Sequence, residues 1–268
     1  MAKLQLKVLV PVDFTEASEV AIKQAMLMKE EFELQVDLFH VVHELIESVE
    51  AESRLQFYVK DLRDAGIASN IVIEEGRVLP AINATCANGN YGLMILGTHG
   101  PRGLRQLLLG SDILHLLKEN PCPSVVVQKK STPVDHFRRI LLPVGSHDEY
   151  LELVQATGII AKSSQSEVII YLIQRPGEDL AEELLENKEI TIRMFKEHGV
   201  HYREVTEDMS VFSFGFAKQT LMYAEKNEVD LIAMMPHASN EHSYFADADK
   251  ERIIMNDKGI AVLCGAGV

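Results

Sequence analysis

Short apolar, β-branched runs alternate along the chain with longer stretches whose apolar residues recur every three or four positions, and the rhythm is played twice. In the first passage Gln5–Val12 reads as a buried strand. Thr15 then offers an N-cap, and Val20, Ala21, Gln24, Ala25 and Met28 follow at helical spacing. Leu34–Val42 predicts a second strand, and Glu44–Ala65 a long charged helix with Leu55, Val59 and Leu62 inward, closed by Gly66. A strand over Ser69–Glu74, a helix from Pro80 to Asn88, a strand over Gly92–Gly97, a glycine-rich loop, a helix over Ser111–Glu119 and a strand over Ser124–Gln128 complete the passage.

The second passage predicts strands at Ile140–Val144, Glu167–Leu172, His201–Thr206, Asp230–Met235 and Ile260–Cys264. Helices over Glu149–Lys162, Asp179–His198 and Phe214–Asn227 lie between them. Strands that are apolar on both faces and alternate with helices imply an α/β fold: two tandem five-stranded parallel-sheet domains, Rossmann-like, with helices on both faces. The repeat is visible in the residues themselves. Lys7-Val-Leu-Val-Pro-Val-Asp13 matches Arg139-Ile-Leu-Leu-Pro-Val-Gly145 position by position. A period of this length is that of a domain and not of a solenoid unit, which places one domain at residues 1–132 and a second at 133–268. The polar stretch Lys129–Phe137, with Pro133 at its centre, is expected to be an exposed linker. The last strand of each half is an apolar edge that needs covering.

Composition narrows the function. The 268 residues are 47% hydrophobic and 25% charged, the balance of a globular protein. The formal net charge of -14 argues against binding nucleic acid or an anionic membrane. Residues 1–132 hold 13 Lys+Arg against 17 Asp+Glu, net -4, and the remainder 13 against 23, net -10, so the first half is the less hostile to a polyanion. No apolar run is long enough to span a bilayer, and the opening MAKLQLKVLVPVD has no signal-peptide pattern, so a cytoplasmic location is expected. The cysteines, Cys86, Cys122 and Cys264, are odd in number and scattered, and are expected to be buried reduced thiols.

The candidate chemistry lies in Leu93–Asp112, LMILGTHGPRGLRQLLLGSD. The loop leaves the carboxyl end of the fourth strand, where open parallel sheets bind ligands. Gly97 and Gly100 permit backbone angles and close approaches closed to other residues. Gly110 and Ser111 open a helix, whose unpaired N–H groups and dipole favour an anion. Neither a P-loop nor a dinucleotide fingerprint fits, and the glycine spacing alone leaves a nucleotide site and a simple connector both open.

Four features taken together resemble the universal stress protein family: Val-Pro-Val-Asp13 after the first strand, Leu38-Phe-His-Val41 in the second, the pattern G-x-x-G-x9-G-S, and Pro121-Cys-Pro123 leading into Ser-Val-Val-Val127. The resemblance covers the chain as a tandem pair, with the glycine signature in the first half only. It implies a five-stranded parallel domain that holds ATP in the family's nucleotide-binding members. Pro11, Val12 and Asp13 would then flank adenine and ribose, with the Asp13 carboxylate accepting from ribose hydroxyls and the Val41 main chain reading the adenine edge. Gly97, His99, Gly100, Gly110 and Ser111 would enclose the phosphates. It further implies that the two edge strands pair, giving a pseudo-dimer within one chain, with homodimerisation of whole chains an added expectation.

Departures from the family pattern shape the reading. Asp112 stands where the family commonly has an apolar residue; it favours the helix dipole but repels a triphosphate unless Mg²⁺ lies between. Arg102 and Arg105 are placed to reach phosphate or merely solvent. In the second half Asp13 is replaced by Gly145, and Met234–Arg252 contains no glycine, with Ala248-Asp249 aligned to Gly110-Ser111. One nucleotide site per chain is therefore expected. His237, His242, Asp247 and Asp249 lack a recognisable metal-ligand spacing and read as a polar loop, while His40 and His43 are expected at the cleft mouth or in solvent. No nucleophile–base pair compels a catalytic assignment. The expectation is a nucleotide-dependent stress-response binding protein; a weak adenine-nucleotide hydrolase and a ligand-free scaffold acting through the acidic second half are the alternatives.

Overall fold

In the computed structural model, residues 3–98, 110–147, 149–174, 177, 179–209, 215–237 and 247–267 are described. The first half runs β1 (Leu4–Pro11), α1 (Glu16–Leu27), β2 (Phe32–Val42), α2 (Ser48–Asp64), β3 (Ala68–Glu75), α3 (Val78–Asn88), β4 (Leu93–Thr98), α4 (Gly110–Glu119) and β5 (Ser124–Gln128). The second runs β6 (Arg139–Pro143), α5 (Tyr150–Ser164), β7 (Glu167–Gln174), α6 (Glu182–His198), β8 (His201–Asp208), α7 (Gly215–Lys226), β9 (Leu231–Met234), α8 (Asp247–Ile254) and β10 (Ala261–Cys264).

All ten strands join one sheet in the order β3-β2-β1-β4-β5-β10-β9-β6-β7-β8. Among the described residues the pairs within each half are parallel, and β5 and β10 alone are antiparallel, with Val126 opposite Val262 and Val125 opposite Leu263. The two apolar edges thus cover each other. Because successive strand residues face opposite sides, each strand feeds two cores. Val8 and Val10 join Leu55 and Phe195 under α1, α2, α5 and α6, while Leu9 joins Ile82, Leu117, Tyr223 and Ile253 under α3, α4, α7 and α8.

Two local expectations are corrected. The helix expected from Glu44 begins instead as a 3-10 turn over Leu45–Glu47, because Glu44 and Glu47 form a reciprocal capping box there. The Lys129–Phe137 connection is exposed at Lys129, Lys130, Thr132, Asp135 and His136, as expected of a linker, but is docked at points between them. Gln24 clamps Val134 on both sides, its Nε2 donating to the carbonyl at 2.9 Å and its Oε1 accepting from the N–H at 3.1 Å, and Phe137 is buried. Further bonds knit the halves: Gln128 Nε2 donates to the carbonyls of Ile254 and Asn256, both at 3.0 Å, and Ser131 Oγ to that of Gly259 at 2.7 Å.

Candidate functional site

The strand order reverses between β1 and β4, one connection passing to each face of the sheet, and a cleft opens at the carboxyl ends of the strands there. Pro11, Val12, Asp13, Phe39, His40, Val41, Val78, Ile82, Leu96 and Gly97 line it. The structure therefore brings together five of the nine residues singled out from sequence: Pro11, Val12, Asp13, Val41 and Gly97. Gly110 and Ser111 open α4, although the Ser111 side chain lies outside what is described, as do His99, Gly100, Arg102 and Arg105.

Each rim residue is held by its own local chemistry. The Val12 N–H donates to the Phe39 carbonyl at 2.8 Å, carrying the β1–β2 pairing one residue past the strand. Asp13 Oδ1 accepts from the Thr15 N–H at 3.1 Å and from the Thr15 hydroxyl at 2.5 Å, and Thr15 Oγ1 caps α1 through the Ser18 N–H at 3.4 Å. Among the described residues Asp13 Oδ2 has no hydrogen-bond partner, so one carboxylate oxygen is left for a ligand. Between them Phe14 adopts a left-handed conformation, φ 61°, which turns the chain from strand to helix. Its ring meets the His40 ring at a 51° tilt, 4.7 Å between centroids, and lies under the Arg54 guanidinium at 3.8 Å. His40 Nδ1 lies 2.6 Å from the Val12 carbonyl, which can only accept; Nδ1 therefore carries the proton and Nε2 offers a lone pair in the neutral ring.

Gly97 has a different reason for being glycine from the one its spacing suggested. A Cβ there would strike the backbone carbonyl of Ala17 and come within 2.7 Å of the Ser18 nitrogen. The missing side chain lets α1 lie close against β4, and the glycine serves packing as well as the rim. Sequence reasoning missed Phe39, Val78, Ile82 and Leu96 as lining residues. The i,i+4 spacing of Val78 and Ile82 and the alternation of Phe39 with Val41 were the signals available. His43 is exposed, whereas His40 is at the cleft.

The corresponding place in the second half is filled from within. Strand pairing puts Tyr171 opposite Pro143 as Phe39 is opposite Pro11. The Tyr171 hydroxyl donates to Glu207 Oε2 at 2.8 Å and its ring meets that of Tyr223 at 4.6 Å. Asn187 Nδ2 donates to the Gly145 carbonyl at 2.7 Å, and the His147 ring occupies the space a Gly145 Cβ would enter. On α8 the buried Lys250 amine donates to the Met235 carbonyl at 2.9 Å, and burial lowers it from 10.5 to about 7. The first residues of α4 and α8 are Gly110 and Asp247, so the helix starts correspond one residue earlier than the Ala248-Asp249 alignment. Of the imagined metal cluster His242 is outside the described residues; among those described, no group of three or more His, Cys, Asp or Glu could hold a metal.

A mostly parallel sheet with helices on both faces and a cleft at the strand-order reversal defines a Rossmann-like protein of the adenine nucleotide α-hydrolase-like fold. Residues 6–128 match the model of the universal stress protein family. The match lies within the first half and covers less than half of the chain. A universal stress protein of Methanocaldococcus jannaschii is 26% identical over 162 residues, covering 49% of this chain and 100% of that protein. A universal stress protein structure from Archaeoglobus fulgidus superposes over 98% of this chain and 96% of its own, with a TM-score of 0.73 at 16% identity. The cytoplasmic domain of a prokaryotic cation chloride cotransporter matches over the same shares with a TM-score of 0.56 at 12% identity, so the architecture alone does not name a function. Among the described residues no helix is long and apolar enough to cross a membrane.

Proposed function

We propose that this chain binds one adenine nucleotide, ATP, in the cleft of its first half and works in the cytoplasm as a nucleotide-dependent stress-response regulator. The observation that carries this reading is the convergence of Pro11, Val12, Asp13, Val41 and Gly97 on one apolar-floored cleft at the strand-order reversal. A planar base suits a slot walled by Phe39, Val78, Ile82 and Leu96, with Val41 at its edge, and the unpartnered Asp13 Oδ2 would accept from a ribose diol. The cavity is tight at about 50 Å³, so entry of a base widens it. Phosphates belong with His99, Gly100 and the Gly110-Ser111 start of α4, where N–H groups lack intrahelical partners. Asp112, in the first turn of α4, repels a triphosphate, and Mg²⁺ bound with ATP would supply the compensating charge.

On this reading residues 1–132 are the nucleotide-binding domain, and 133–268 are a degenerate copy kept for packing and interaction. Hydrolysis, where seen, is slow and not the function. The test is mass analysis of small molecules released on denaturation, followed by calorimetric titration of ATP with and without Mg²⁺. Asp13→Asn keeps an acceptor for Thr15 and removes the carboxylate; it should weaken ATP binding by at least about tenfold. No released nucleotide and no binding heat in either titration would end the proposal. Light scattering on the same sample counts chains per particle and so tests homodimerisation.

A further inference from the structure

Two of the three cysteines meet in the fold. Cys86 lies in the last turn of α3, and Cys122 in the turn between α4 and β5. Their side chains interact directly. Asn120 spans the pair: its Nδ2 donates to Cys86 Sγ at 3.4 Å, and its Oδ1 accepts from the Cys122 N–H at 2.9 Å. Both residues are buried but keep 4% exposure, whereas Cys264 has none.

The arrangement is asymmetric. Interaction with the Cys122 side chain holds the Cys86 thiol below its ordinary value; burial opposes this and the Asn120 amide assists. The same interaction, with burial, pushes Cys122 up, so Cys86 is the more acidic of the two. Burial pushes Cys264 up to about 12, against the opposing pull of the Lys250 amine. The third cysteine is thus an internal control.

We propose that Cys86 and Cys122 form a redox site that a peroxide oxidises to an intramolecular disulfide. The Cys86 thiolate attacks one oxygen of hydrogen peroxide; an S–O bond forms, the O–O bond breaks, and the departing hydroxide takes up a proton as water. Cys122 sulfur then attacks the resulting sulfenic sulfur. The S–S bond forms, the S–O bond breaks, and the second hydroxide leaves with the Cys122 proton as water. Two thiols lose two electrons and two protons, and one peroxide becomes two waters. Closing the two sulfurs to a bond of about 2.0 Å draws the last turn of α3 toward the start of β5. Val78, Ile82 and Cys86 share one face of α3 at i,i+4 spacing, so the same helix that forms a wall of the cleft carries the reactive thiol. The redox chemistry stands whether or not the cleft takes a nucleotide.

The experiment exposes the full chain to hydrogen peroxide, blocks remaining thiols under denaturing conditions and maps peptides without reduction. A Cys86–Cys122 cross-linked peptide that a dithiol reverses, with Cys264 still blocked as a free thiol, is the expected result. In Cys122→Ser, Cys86 should be trapped as a sulfenic acid by dimedone; in Cys86→Ser, labelling of Cys122 should be slower by at least about tenfold. The proposal fails if wild-type protein keeps both thiols while glutathione in the same tube is oxidised. It also fails if Cys264 oxidises as fast as the pair. Both readings come from wild-type protein, so a variant that does not fold leaves them intact.

Discussion

The clefts of the two halves occupy equivalent places in one sheet and differ in what satisfies their polar groups. In the first half Asp13 Oδ2 has no partner among the described residues, and Phe39 contributes only an apolar wall. In the second, Asn187 takes the Gly145 carbonyl, Glu207 takes the Tyr171 hydroxyl, and Lys250 takes the Met235 carbonyl. A topological switch point supplies a place for a ligand; whether one is needed depends on whether the protein's own side chains have already met the groups exposed there. The second half has spent its polar residues on itself. The bonded polar groups there and the unpartnered Asp13 Oδ2 of the first half are two outcomes of the same geometry.

The sharpest way to break the comparison is at the glycines, since each half contains one whose local pattern says little. Gly97→Val places a side chain against the backbone of Ala17 and Ser18, which cannot rotate away, so α1 must separate from β4. A loss of about 3 kcal/mol or more is expected, read by chemical denaturation. Gly158 sits inside α5, where an added Cβ would lie 3.6 Å from Phe195 Cε1, an ordinary contact. Gly158→Ala should therefore stabilise by about 0.5–1 kcal/mol through helix propensity. Equal effects at the two positions would show that helix–sheet approach at Gly97 is not the constraint.

That contrast also marks what the sequence could and could not convey. Strand alternation, the Thr15 cap and the Lys7–Asp13 repeat are local patterns, and they led to the α/β architecture and to the strand-end rim. The obstruction behind Gly97 depends on Ala17, eighty residues earlier, and no local period encodes it. The docking of Val134 on Gln24, the meeting of Cys86 with Cys122, and the Tyr171–Glu207 bond are likewise contacts between elements. A polar linker composition and scattered cysteines are compatible with many such contacts and specify none. The family resemblance added residue roles that periodicity had left open, but it could not reveal that a residue on the rim also serves packing.

A second test addresses how the other cleft is closed. Burial disfavours the charged Lys250 amine, lowering it from 10.5 to about 7 in the folded chain. Between those values the unfolded chain binds more protons than the folded one, so this group makes stability rise with pH from about 7 to about 10.5. Below that window the amine is charged in both states and its burial cost is fully present; above it the amine is neutral in both. Lys250→Met should flatten this rise and stabilise the chain most near pH 6, by an amount on the order of a few kcal/mol set against the lost bond to Met235. Denaturation midpoints from pH 6 to 10 provide the check, and parallel curves for wild type and variant would remove Lys250 from the account.

The smallest expected effect is the most direct test of the difference between the halves. If the second half lacked only the carboxylate proposed to bind ribose, Gly145→Asp would create a second copy of the proposed nucleotide site. The new Cβ would lie 2.7 Å from the His147 ring, a side chain able to shift, so the substitution is tolerable in space. It would still face a carbonyl held by Asn187, an aromatic pair at Tyr171 and Tyr223, and a helix that begins Asp247-Ala248-Asp249 instead of Gly110-Ser111-Asp112. Acidic side chains at that helix start oppose a phosphate through the same field that N–H groups would use to attract it. Calorimetry should therefore give an unchanged nucleotide stoichiometry for Gly145→Asp. A doubled stoichiometry would mean that the internal bonds of the second cleft yield to a ligand, and that a single carboxylate separates the two halves.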